Sequence, residues 1–159
     1  MKRVCLVLTS ILACLCIIGC TPKNGNDNEY LSIAEIHYWR VVYGILTPEY
    51  KVDIESGKLW YYTSPTGDPV ARDETLDDDG YTLVRDLTEE EISAFLYECQ
   101  KSNLLSWKES YVNNNVSSGF MWHIVITFTD GTTKETGGSN KTPSKFDVFY
   151  DALHALTHT

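Results

Sequence analysis

The chain has 159 residues, enough for one body with its own hydrophobic core once a short leader is set aside, and too few for two. Hydrophobic residues make up 43% of it, aromatics 12% and charged residues 22%, a balance that excludes a disordered chain. The formal charge of −9 repels phosphate backbones, which excludes nucleic acid as a partner.

Lys2 and Arg3 precede an apolar run from Val4 to Ile18. That run is shorter than the roughly 20 residues a helix needs to cross a bilayer, so residues 1–19 read as a signal peptide. It ends in Ile17-Ile18-Gly19-Cys20, which resembles the lipobox of bacterial lipoproteins. The resemblance implies that Cys20 is acylated and becomes the first residue of the mature protein. The protein would then be held at the cell membrane or outer membrane and exposed outside the cytoplasm. The chemistry suits the residue, because a thiol ionises in a range that hydroxyls do not. Two or three acyl chains on one residue also exceed the single chain that anchors only marginally. An uncleaved anchor helix and an ordinary secretory signal are the alternatives for this segment.

Residues 20–30 read as the lipidated cysteine and a flexible tether, with Pro22, Gly25 and three asparagines unable to bury apolar area. Residues 31–159 then form a single α+β domain. Cys99 is the one cysteine in it, so the fold stands on its core and not on disulfides.

Ile33, Ile36, Tyr38, Trp39, Val41, Val42 and Tyr43 make Ser32 to Gly44 a strand. Tyr50–Glu55 and Lys58–Thr63 alternate about Ser56-Gly57 and form a hairpin. Ser64 to Asp79 is a surface loop, and Tyr81 to Asp86 a further strand. Thr88 and Glu91 make a capping box for a helix reaching Asn103, whose inner face carries Ile92, Phe95, Leu96 and Cys99. Cys99 is therefore a core residue.

Trp122, Ile124, Ile126 and Phe128 share one face of the strand Trp122–Thr129. Asp130-Gly131 suits a type I′ turn, Thr132–Thr136 returns, and Gly137–Lys141 reads as a loop. Thr142 as N-cap and Pro143 at the first helical position open a last helix, with Phe146, Phe149, Tyr150 and Leu153 inward. The expected fold is α+β: an antiparallel sheet of five to six strands with two helices on one face, in the order β-β-β-β-α-β-β-α.

Trp122-x-Ile124-x-Ile126-x-Phe128-x-Asp130-Gly131, followed by Gly138-x-Asn140-x-x-Pro143-x-x-Phe146, is similar to a pattern in uncharacterised secreted and lipid-anchored bacterial proteins. Trp107 after the first long helix fits as well. Those proteins often carry Asp-Gly shortly before the tryptophan, where this chain has Ser117-Ser118-Gly119-Phe120. The resemblance implies fold and compartment and brings no activity. Gly138 and Asn140 are explained by bending and bracing the chain, or by cradling an anionic group at a helix N-terminus.

Catalytic constellations are thin. No Gly-x-Ser-x-Gly elbow occurs, and no serine pairs with His37 or His123. Asp77-Asp78-Asp79-Gly80, aligned to a calcium loop, puts Thr75 and Asp86 where Asp and Glu are required, and reads as a solvated turn. Asp147, Asp151, His154 and His158 follow helical spacing but read as a polar helix face, so neither metal nor cofactor is expected. Aromatic supply stands out, with ten Tyr and four Trp. Trp60 and Tyr62 share a strand face and are candidate ligand-binding residues, alongside Gly138 and Asn140. The function expected is non-enzymatic: a lipid-anchored envelope module that binds a protein, peptide or glycan. The alternatives are a small metal-dependent or hydrolytic envelope enzyme, or an enzyme inhibitor.

Overall fold

A computed structural model describes residues 27–43, 45–46, 49–62, 81–116 and 119–157. The leader, Cys20 with its lipobox, most of the tether, the Ser64–Asp79 loop with its acidic turn, and His158 lie outside the described residues.

The protein is α+β, a mixed sheet carrying two long helices. The strands are β1 (Ile33–Val42), β2 (Ile45–Leu46), β3 (Glu49–Asp53), β4 (Lys58–Tyr62), β5 (Thr82–Asp86), β6 (Ser110–Val112), β7 (Phe120–Phe128) and β8 (Thr133–Ser139). They lie in the order β5-β4-β3-β1-β7-β8-β6, with the two-residue β2 paired to β1 beside this path. The helices are α1 (Asp27–Tyr30), α2 (Glu89–Ser102) and α3 (Phe146–Thr157). No helix among the described residues is long and apolar enough to cross a membrane.

The sheet is not wholly antiparallel, because β6 runs parallel to β8 through Ser110↔Gly137, Tyr111↔Gly138 and Val112↔Ser139. Three residues carry no readable period, so β6 escapes sequence patterning. Its pairing also makes Gly137–Ser139 a strand and not a loop. The turn after β7 is different too. Only Gly131 is left-handed (φ 81°), and its N–H donates to the Phe128 carbonyl at 2.8 Å. Asp130 keeps a negative φ, so this is a three-residue loop closed by a glycine bulge instead of a type I′ turn. The last helix begins at Phe146 and not at Pro143, because Lys145 is left-handed (φ 65°) and interrupts any earlier helix. At the other end, Tyr30 is in the core and its hydroxyl accepts from Leu105 N–H at 3.1 Å. Tyr30, within the stretch assigned to the tether, therefore packs with the body.

One sheet face makes the core. Ile36, Val52, Leu59, Ile124 and Ile126 are fully buried on it, beneath Phe95 and Cys99 of α2 and Phe149, Leu153 and Leu156 of α3. Alternation along each strand sends the intervening side chains to the opposite face. The capping box forms as expected: Thr88 Oγ1 accepts from Glu91 N–H at 3.2 Å, and Glu91 Oε2 accepts from Thr88 N–H at 2.8 Å. Burial of Cys99 pushes its thiol well above the usual range, so it packs as a hydrophobe and not as a nucleophile.

Candidate functional site

The sheet face turned away from α2 and α3 carries the chemistry. Register fixes its first row, running Trp60 on β4, Lys51 on β3, His37 on β1, Val125 on β7 and Glu135 on β8. A second row holds Tyr62 opposite Glu49, and Trp39 opposite His123 opposite Gly137. Both histidines of the strands thus stand on one face, each beside a glutamate.

His37, Glu49 and Tyr81 form a closed cluster. His37 Nε2 lies 3.2 Å from Glu49 Oε2 and 2.8 Å from the Tyr81 hydroxyl, which itself donates to Glu49 Oε2 at 3.3 Å. One proton arrangement satisfies all three contacts: Nε2–H donates, the phenol oxygen accepts and passes its own proton on, and the carboxylate accepts twice. Glu49 is only 3% exposed although no helix among the described residues covers this face. A buried carboxylate is costly without such donors, so the two hydrogen bonds account for its burial.

Rings surround an amine beside that cluster. Lys51 Nζ sits 4.6 Å from the Tyr81 ring centroid and 5.7 Å from that of Trp60. Tyr62 packs against Tyr81 at 5.7 Å, and Lys58 Nζ approaches Trp60 at 5.9 Å. Further along the face, Trp39 lies 5.2 Å from the His123 ring, and His123 Nε2 is 3.3 Å from Glu135 Oε2. Glu109, His123, Thr133, Lys134 and Glu135 line a shallow polar depression of about 450 Å³ there.

Of the residues singled out from the sequence, Trp60 and Tyr62 stand together on this face. Gly138 and Asn140 do not join them: β3, β1 and β7 separate β4 from β8. Gly138 faces the core against the Trp122 indole, whose Nε1–H donates to the Lys141 carbonyl at 2.8 Å. Asn140 is left-handed (φ 54°), its Oδ1 accepts from Phe120 N–H at 3.0 Å, and its amide donates to the Val116 carbonyl at 3.3 Å. Their polar groups are spent on the chain itself. His154 packs edge-on to Tyr150 at 4.5 Å, and among the described residues no three His, Cys, Asp or Glu side chains gather as a metal requires.

Glu49, Tyr81 and Lys51 were missed by sequence reasoning. The signal available was the alternation of β3, which puts Glu49 and Lys51 on the face opposite Val52. Compared with models of protein families, with curated proteins and with solved structures, the chain matches none.

Proposed function

We propose that the protein is a lipid-anchored module of the bacterial envelope that acts by binding, with the sheet face opposite α2 and α3 as its recognition surface. The observation that carries this reading is the concentration of Trp39, Trp60, Tyr62 and Tyr81 on that face, interleaved with His37, Glu49, Lys51 and His123. Partly exposed tryptophan and tyrosine among charged groups is the composition of binding hot spots. The lipobox-like Ile17-Ile18-Gly19-Cys20 supports anchoring, and the resemblance of Trp122 to Phe146 to secreted and lipid-anchored proteins agrees with that compartment. Mass spectrometry of the exported protein tests the anchor: the reading expects an acylated Cys20 at the N-terminus. An unmodified cysteine, or a soluble form starting elsewhere, contradicts it.

A further inference from the structure

The seat around Lys51 has a chemistry of its own. The Tyr81 and Trp60 rings lie within 6 Å of the Lys51 ammonium, the range in which an aromatic quadrupole attracts a cation. Tyr62 extends the ring wall beside Tyr81, and the Glu49 carboxylate is hydrogen-bonded to the same Tyr81 hydroxyl. The surrounding charge has the matching sign. On β1, β3 and β4 this face carries the carboxylates of Glu35, Glu49 and Asp53 against the amines of Lys51 and Lys58, within a chain of net charge −9.

We propose that Trp60, Tyr62 and Tyr81, the last held in place by its hydrogen bond to Glu49, form a seat for an organic ammonium group on the partner, and that Lys51 is its built-in competitor. This deepens the recognition surface proposed above and rests on it. In the structure the seat holds the chain's own ammonium. Swinging Lys51 aside leaves the Tyr81 and Trp60 rings for an incoming cation, and withdraws a like charge at the same time. Binding is therefore weak while Lys51 stays in place and tightens when it is removed.

The test is a titration followed by NMR at the Trp60 indole N–H and at the backbone N–H groups of Lys51 and Tyr62 of the intact chain, the latter two serving also for the variant without Trp60. The probes are choline, a lysine derivative blocked at its α-amine and carboxyl, and 3,3-dimethyl-1-butanol as the uncharged shape of choline. The seat predicts a saturable shift with choline or the lysine derivative and none with the alcohol. The stronger of the two cations then tells a quaternary from a primary ammonium. Lys51→Gln should tighten binding about tenfold, and Trp60→Ala should abolish it. Lys51 lies on the sheet surface, so Lys51→Gln keeps the test valid even where Trp60→Ala disturbs folding. Equal response to the alcohol, or no tightening in Lys51→Gln, overturns the seat. If Trp60→Ala nevertheless loses retention on envelope material, the recognition surface stands without its ammonium chemistry; if it loses nothing, both fall.

Discussion

Trp122 and Gly138 are opposite one another on β7 and β8, and the indole lies in the space that a side chain at 138 would fill. A Cβ there would stand 2.6 Å from Trp122 Nε1, 2.5 Å from the Lys141 carbonyl oxygen and 2.8 Å from that of Tyr111. Two of these three are backbone atoms and cannot swing away. Gly137 does the same on the other face, where a Cβ would come within 2.9 Å of the His123 ring. Adjacent glycines thus admit one ring on each side of the sheet. Gly138→Ala is expected to destabilise the fold by about 3 kcal/mol, read by urea unfolding, as overpacking against rigid atoms does. A loss under about 0.5 kcal/mol would mean the indole has room to move.

The Asn140 backbone and side chain contribute separately. Asn140→Gly keeps the left-handed conformation and loses the bond to Phe120 N–H, for about 1 kcal/mol. Asn140→Ala loses both, for about 2 kcal/mol. The order of unfolding midpoints, parent above glycine above alanine, checks this.

At the start of α2, Arg85 donates to both carboxylate oxygens of Glu91 (3.0 and 2.8 Å), and Thr88 N–H donates as well. The Arg85 hydrogen bonds foremost, then Thr88, hold the Glu91 carboxyl down from an ordinary 4.5 to about 2. A pKa lowered by folding gives stability that is complete above the unfolded value and lost as pH falls through the folded one. The gap in melting temperature between the parent and Glu91→Gln should be steady near neutrality, shrink below about pH 4.5 and close near pH 2. Melts across that range decide it, and a gap independent of pH would contradict the linkage.

The polar cluster should behave as a unit. Glu49→Ala removes the acceptor shared by His37 and Tyr81 and is expected to cost about 2 kcal/mol, and Tyr81→Phe about 1 kcal/mol. Because the two share a bond, the double variant should lose less than the sum, by about 0.5 kcal/mol or more. A double-mutant cycle in urea measures that coupling, and strict additivity would show that the contacts do not cooperate.

Local chemistry made much of the fold legible in the sequence. The Thr88–Glu91 capping box, the hairpin about Gly57, the inward Cys99 and the alternation of Trp122, Ile124 and Ile126 each depend on neighbours a few residues away. What escaped depends on distant partners. Gly137 and Gly138 look like a loop until the rings of β7 are laid across them. β6 becomes a strand only by pairing with β8, about 27 residues further along the chain by its own register. The candidate site was half legible, since Trp60 and Tyr62 announce themselves by type. Glu49 and Tyr81 meet His37 across 12 and 44 residues, and only the register of β1 on β3 and the approach of Tyr81 bring them together.

Retention of the chain on envelope preparations is the most direct measurement of the central claim. Cys20→Ala removes the anchor proposed above, so that any retention reports on the folded body. In that background, Trp60→Ala with Tyr62→Ala changes the sheet face opposite α2 and α3, and Tyr97→Ala changes the helical layer at a side chain 60% exposed on α2. The account predicts at least a tenfold loss for the first variant and parental retention for the second. Equal retention of both, or loss through Tyr97 alone, would place recognition elsewhere on the molecule.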